Sequence, residues 1–516
     1  MLESIEIKLE KFQSITFFPL IIMMIVGAIL RIYFTPWHLP SNSPDAFVFM
    51  IEGLAYANGD FSNASNRFLW PGFLSLFFVF FRFDDYIGYT TVMRAVSICV
   101  SVSTIPVLYL VANHFVEKRY ALMTTTFFIV EPNLIENSIF AITEPLFILL
   151  GLLSFYFVIH KTEKYLPLAF LFAGLSFDTR LNGIVLFLLL LFVCIIKIRP
   201  IRRLRMIFPI GIGIFILVSS PHIFIPLSQD NMPLNQFGLA INTLSHGSTS
   251  VSTYDPSSNH SSFDVLKNAL KNEFLHIFRI SVPYLAIFFP FGLVMALKNL
   301  DYQNKILLAV IIISLIIALP QYTVSNEYRN LFFIIPFLCI LSTIGLQKFT
   351  LNIEMKNMFL VILFAGLILL SVNFLRERYD IDDDIIIEKD NLGKYIANNL
   401  KGKVMGHLFL ETIRNIPNVK TGTYFSNQEI SVINPDIRID TVQKLMDYSI
   451  QHKIEFLVIE DTLDEKHFPI FEDVFYNEKN FPFLEKIFDS EGKGYKKVKA
   501  KIFKIDYVKY LNSSTG

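Results

Sequence analysis

Three cysteines stand in 516 residues, Cys99, Cys194 and Cys339, each alone in an apolar run. None has metal-ligand spacing around it, so they read as small core hydrophobes and imply neither a disulfide nor a zinc centre. A basic block is also missing, which excludes nucleic acid as a partner, because phosphate-backbone binding needs a concentrated Lys/Arg surface. The last 141 residues contain no glycine-rich phosphate loop, no nucleophile elbow and no metal cluster. Charge itself is scarce over most of the chain. Residues 1–375 hold half of the charged side chains, about 12% of that stretch, whereas the remainder is about 32% charged.

What fills the first three quarters is apolar. A hydrophobic fraction of 53% with 53 Phe and a mean hydropathy of +0.49 exceeds what a water-soluble globule can bury, so lipid must solvate this part. A soluble enzyme is excluded. A spanning helix needs about 20 mostly apolar residues, and about eleven such runs are predicted, from Ile15–Phe34 to Asn357–Leu375. The third, Tyr120–Leu134, and the fifth, Tyr165–Phe177, are the shortest. Alternate loops carry the basic residues, among them Lys118 and Arg119, Lys161 and Lys164, and the cluster Lys197 to Arg205. Those loops are expected in the cytoplasm. An odd span count then puts the amino terminus inside and the carboxy-terminal domain outside.

The predicted architecture is an α-helical polytopic membrane domain over residues 1–375, with outer loops at 35–85 and 227–281, followed by an extracytoplasmic α/β domain at 376–516. The first loop is expected to hold an interfacial helix at Asp45–Asn58 and a second apolar stretch opened by Pro71-Gly72. The second opens on a Ser/Asn/Thr/Gly-rich section expected to be mobile and closes on an amphipathic helix, Phe263–Ile280. In the last domain a helix at Asn391–Leu400 capped by Asp390, a strand at Val404–Phe409, a helix at Asp440–His452 and a strand at Glu455–Ile459 are expected. Strands near Phe483–Phe488 and Val498–Ile505, joined through Gly492 and Gly494, close one edge.

Ionised groups near hydrocarbon are expensive, so the acids at the outer boundary need a use or a partner. Asp45 begins a helix just beyond the first span, as a cap, a base, or both. Glu144, in Thr143-Glu144-Pro145, opens the fourth span, with Glu136 across the preceding loop. Asp84 and Asp85 read as caps. Arg31, Arg94, Arg180 and Arg329 lie at outer ends of spans, where snorkelling is the default, although a planar guanidinium also fits phosphate.

The order of Arg31, Asp45, Gly59, Pro71-Gly72, Arg94, Thr143-Glu144-Pro145, Thr179-Arg180 and Glu327-Tyr328-Arg329 resembles the GT-C superfamily of polytopic, lipid-phosphate-sugar-dependent glycosyltransferases. Protein O-mannosyltransferases and aminoarabinose transferase-like prokaryotic proteins are members. The resemblance implies Asp45 as the essential acid, acting as general base; Glu144, at the outer start of the fourth span, is the second candidate catalytic acid, and Arg180 and Arg329 are the candidate ligands of the lipid phosphate. It further implies a polyprenyl or dolichyl phosphate sugar donor, inversion at the anomeric carbon, and a glycan, lipid or protein acceptor. Ala46 replaces the second acid that many members carry after the first, and no Trp-Trp-Asp-Tyr-Gly segment occurs, since Trp37 and Trp70 are the only tryptophans. A divalent metal bridging Asp45, Glu144 and the phosphate is compatible with the pattern but is not demanded by any ligand cluster. The expected location is a prokaryotic plasma membrane. The competing reading is a polytopic lipid or glycan transporter or flippase, which would favour internal repeats and ionisable groups at the bilayer midplane.

Overall fold

The computed structural model describes residues 2–41, 43–61, 68–160, 163–197, 201–220, 262–323, 327–350, 353, 355–378, 383–406, 409–416, 430–433, 439–461 and 468–514. The section of the second loop expected to be mobile, 227–261, lies outside them. The chain divides into two compact units. The first comprises Met1–Pro36, Asp60–Phe77 and Thr91–Asp380, and the second Trp37–Gly59, Phe78–Thr90 and Ile381–Gly516.

The first unit is helical. Four stretches are long and apolar enough to cross a bilayer: Tyr86–Ala112, Tyr302–Tyr322, Tyr328–Phe349 and Lys356–Arg378. A fifth results if Phe263–Ser281 and Leu285–Lys298, bent by 110°, count as one broken span. Shorter apolar helices include Phe18–Phe34, Glu144–Ile159, Leu166–Thr179 and Ile207–Val218. Among the described residues, length and composition therefore support four or five spans, where hydropathy predicts about eleven. Proline accounts for part of the difference. The run Tyr120–Leu134 is two helices, Lys118–Val130 and Pro132–Ile139, with Glu131 extended between them. Pro132 lacks an N–H and pushes the preceding residue out of the helical region.

The surface of this unit identifies its solvent. On the helix Lys356–Arg378, Val361, Ile362 and Leu369 are 61–72% exposed, and Ile316 on Tyr302–Ala318 is 64% exposed. Outward-facing apolar side chains along whole helices are stable only against hydrocarbon. The protein is an integral membrane protein. Inside, packing is close: helix Leu285–Lys298 meets helix Ile335–Phe349 at Gly292 and Gly345, where a Cβ on Gly292 would lie 1.6 Å from the Leu341 carbonyl oxygen. Small residues permit this backbone approach, a recurrent device of helix pairs in lipid.

The second unit contains a five-stranded mixed sheet in the order β2-β1-β3-β5-β4, with β1 Gly402–Gly406, β2 Ile430–Ile433, β3 Phe456–Glu460, β4 Leu484–Asp489 and β5 Ala500–Ile505. Strands β2, β1 and β3 run parallel, and β3, β5 and β4 antiparallel. The central strand β3 is buried throughout, as its continuous apolar run requires. Gly492 and Gly494 take φ of 80° and 89° between β4 and β5, a conformation that glycine alone adopts without strain. Two expectations are corrected. The first strand ends at Gly406, and Phe409 begins a short helix, Phe409–Arg414. The first helix of the domain is Asp383–Asn399, so Asp390 is not its cap. Asp390 is instead buried mid-helix and accepts from Arg414 Nε at 3.1 Å and Nη2 at 2.9 Å.

Trp37–Gly59 packs within this same unit. The Tyr86 ring meets Phe47 edge-on at 5.6 Å, and the Arg414 guanidinium lies 5.8 Å from the centre of that ring. His38 pairs with Asp383 at 3.0 Å.

Candidate active site

Glu144 opens the helix Glu144–Ile159, with Pro145 in the first turn, where the missing N–H costs nothing and the helix dipole favours an anion. Thr143 stands at the cap position but makes no capping bond. Its hydroxyl donates to Glu144 Oε2 at 3.3 Å and accepts from Arg180 Nη1 at 3.2 Å. Arg180 Nη1 also donates to Glu144 Oε1. Both partners are withdrawn from solvent, the carboxylate at 1% and the guanidinium side chain at 10% exposure.

Local sequence puts Arg180 there. The helix Leu166–Thr179 stops at Arg180, whose extended backbone leads into one 3-10 turn, Leu181–Gly183. A Cβ on Gly183 would lie 2.4 Å from the Phe177 amide, so only glycine lets the chain fold back against the helix it has just left. A third group arrives from the 3-10 helix Tyr328–Ile334. Asn330 Oδ1 accepts from Arg180 Nη2 at 3.5 Å, and Arg329 Nη1 lies 4.0 Å from Glu144 Oε1. Arg329 Nε donates to Glu327 Oε2 at 2.5 Å, and Glu327 is 48% exposed. The first unit thus brings together Glu144, Arg180 and Arg329 around one buried carboxylate.

Asp45 belongs to the second unit, in the first turn of the helix Pro44–Ala57, where it is half-buried. The capping reading is corrected: Ser43 is the cap, and its hydroxyl accepts from the Ala46 amide at 3.5 Å. Asp85 does cap, accepting from the Gly88 amide at 2.8 Å. Snorkelling is corrected for two arginines. Arg31 is fully buried, donating to Ser101 Oγ at 2.9 Å and the Gly27 carbonyl at 3.0 Å. Arg94 is 3% exposed and donates to the Pro36 carbonyl at 2.7 Å and the Ile139 carbonyl at 3.2 Å. Glu136 pairs with Arg378 at 3.0 Å.

Glu52 and Glu131 are buried acids that escape the sequence reading. Glu52 is 2% exposed and lies seven residues after Asp45, on the same face of its helix. It is the one acid in the apolar run that follows Asp45, which is a usable signal. Glu131 is completely buried and accepts from Asn133 through its amide N–H at 3.2 Å and its side chain at 2.6 Å. Its signal is the Glu131-Pro132 pair, which repeats Glu144-Pro145.

Among the described residues no group of three or more His, Cys, Asp or Glu is placed to hold a metal ion. Glu144 fits a cation poorly, because its two oxygens already serve Arg180 and Thr143.

Residues 74–225 match the family described as dolichyl-phosphate-mannose-protein mannosyltransferase. No curated protein matches the chain in sequence. Three solved structures are similar in fold. The oligosaccharyltransferase AglB from Archaeoglobus fulgidus, in complex with an inhibitory peptide and a dolichol-phosphate, superposes with a TM-score of 0.58 at 11% identity, covering 93% of this chain and 74% of its own. ArnT from Cupriavidus metallidurans, bound to undecaprenyl phosphate, gives 0.57 at 11% identity, covering 94% and 97%. The arabinofuranosyltransferase AftD from Mycobacteria gives 0.52 at 14% identity, covering 94% of this chain and 41% of its own. The matched family and these three proteins all belong to the GT-C glycosyltransferase superfamily, and this chain shares the fold of the three.

Proposed function

We propose that the chain is a membrane glycosyltransferase that moves a sugar from a polyprenyl or dolichyl phosphate donor to an acceptor hydroxyl on the outer face of the membrane, with inversion. The observation that carries this reading is the convergence of Arg180 and Arg329 on Glu144. Glu144 fixes Arg180 in a buried ion pair, of the kind in which removing one partner typically costs about 3 to 5 kcal/mol. Arg329 pairs with the half-exposed Glu327, and exposed pairs contribute only about 0 to 1 kcal/mol, so a phosphate can replace that partner. In this reading Glu144 orients the guanidinium groups and does not transfer a proton.

Asp45 takes the proton of the acceptor hydroxyl while the oxygen attacks the anomeric carbon. The bond from that carbon to the phosphate oxygen breaks with its electron pair, and the lipid phosphate leaves as an anion held by Arg180 and Arg329. General-base assistance of this kind is typically about 100- to 10,000-fold. The eleven-span topology, a cytoplasmic amino terminus, an extracytoplasmic carboxy-terminal domain and a prokaryotic plasma membrane belong to the same proposal. The test is transfer of a labelled sugar from polyprenyl phosphate donors by the purified protein in nanodiscs or proteoliposomes. Release of bare polyprenyl phosphate together with labelled product supports the reading. Movement of intact donor across the bilayer without transfer would replace it with the transporter alternative.

A further inference from the structure

The helix Ser262–Ser281 presents its apolar side outward. Phe263, Leu270, Phe274, Leu275 and Phe278 are 49–73% exposed, while Val265, Ala269, Glu273, His276 and Ile280 form the buried stripe. Lipid explains the outer face. It does not explain an acid and an imidazole, each 7% exposed, on the inner one. Burying ionisable groups inside a membrane protein is costly, and such groups mark function by default.

These groups gather at one place without satisfying one another. Glu273 and His276 are three residues apart and so share a face. The His276 and Tyr322 rings lie 5.1 Å apart, tilted by 58°, and the Glu273 carboxylate is within electrostatic reach of the Tyr322 phenol. Glu273 Oε1, His276 Nδ1 and Tyr322 Oη are all buried with no hydrogen-bond partner among the described residues. Three such orphans in one cluster are rare in a native interior and call for a ligand or water.

The cluster adjoins the arginine site. The Tyr328 ring lies 6.3 Å from His276, and the Arg279 guanidinium sits 4.1 Å above it. Tyr328, Arg329 and Asn330 are consecutive in one 3-10 helix. Successive side chains there point about 120° apart. One short element therefore offers Tyr328 to this cluster and Arg329 and Asn330 to Glu144 and Arg180.

The chemistry of the donors selects the ligand. Glu273 would repel a second phosphate, and one carboxylate with one imidazole is too few ligands for a divalent cation. Acceptor, amphoteric ring nitrogen and phenol suit hydroxyl groups, and the flanking rings suit the apolar face of a sugar. We propose that Glu273, His276 and Tyr322 form the subsite that reads the hydroxyls of the transferred sugar and so decides which glycosyl donor is accepted. The proposal rests on the donor class given above.

The test titrates the full chain in nanodiscs with bare polyprenyl phosphate and with the same carrier bearing mannose, glucose or galactose. At least one sugar-bearing carrier is expected to bind more tightly than the bare one. Glu273→Gln and Tyr322→Phe should each remove about tenfold of that advantage, leave the affinity for bare carrier unchanged, and leave the melting temperature equal or higher, since each removes an unpaired buried group. Equal losses for bare and sugar-bearing carriers, no losses, or a fall of several degrees in melting temperature overturn the subsite. If no carrier binds at all, the donor class is what fails. Methyl glycosides of the three sugars then become the probe: binding weakened by Glu273→Gln upholds the subsite, and absence of binding overturns it.

Discussion

Arg329 and Asp45 carry the proposed chemistry at the residue scale, and each has a substitution that keeps shape or charge while removing function. Asp45→Asn keeps the side-chain volume but is not a base, and Ser43 supplies the helix cap. Transfer should therefore fall by at least about 100-fold with little change in thermal stability. Activity near that of the unsubstituted protein removes Asp45 from the mechanism. Arg329→Lys keeps the charge but loses the fork, which weakens a bidentate phosphate contact by about 1 to 3 kcal/mol and transfer by about tenfold or more. Arg82 is the control, because it lies in the exposed stretch 79–85 and donates to Asn58 Oδ1 at 3.0 Å. Arg82→Lys should leave transfer unchanged, and equal rates in the two variants return Arg329 to an anchoring role. These residues stand out in the sequence by their types and order, but their partners do not. Thr143-Glu144-Pro145 announces a helix start, yet nothing local says that Glu144 will meet an arginine 36 positions later.

At the scale of elements, the tight crossing at Gly292 and the buried Asp390 each support a measurable outcome. Gly292→Ala must displace the Leu341 carbonyl, so it should cost about 1 to 3 kcal/mol, read as a lower melting temperature in detergent. Gly366→Ala is the control, since its Cβ would meet nothing within 4 Å and alanine favours a helix. Equal stability in both proteins would mean that the crossing tolerates a methyl group. Burial would raise the Asp390 carboxyl, but the hydrogen bonds from Lys394 and Asn415 and the Arg414 charge outweigh it and hold the group below its ordinary value of 3.8. The folded value lies below the unfolded one, so this stabilisation is complete above pH 3.8 and is lost as pH falls through the folded value. The second unit should lose stability on acidification in that range, followed by hydrogen exchange of β1 and β3. Asp390→Asn should be less stable at neutral pH and lack that part of the acid dependence. Sequence pattern locates the sheet strands within a few residues, whereas β2 escapes it because four residues, Ile430–Ile433, are too short to show alternation.

For the whole molecule, orientation is the decisive prediction. A tag after Gly516 should be reached from outside intact cells or spheroplasts, and one in the loop from Lys197 to Arg205 should be protected. The opposite result inverts the topology and puts the proposed chemistry on the cytoplasmic face. Composition alone determined that most of the chain is apolar enough to need lipid and that its carboxy-terminal part is far more charged, because transfer of apolar surface is additive along the chain and needs no knowledge of contacts. It also marked Asp45, Glu144, Arg180 and Arg329, because an ionisable side chain at the edge of an apolar run is conspicuous wherever it packs. Tertiary structure alone decided three things. It put Glu144, Arg180 and Arg329 around one carboxylate, it gave the segment Trp37–Gly59 with Asp45 to the same unit as the carboxy-terminal sheet, and it turned Glu273 and His276 inward. Each depends on contacts between positions distant in sequence. In lipid, moreover, the apolar face of a helix points outward, so periodicity shows that a helix has two faces while packing decides which of them the protein keeps.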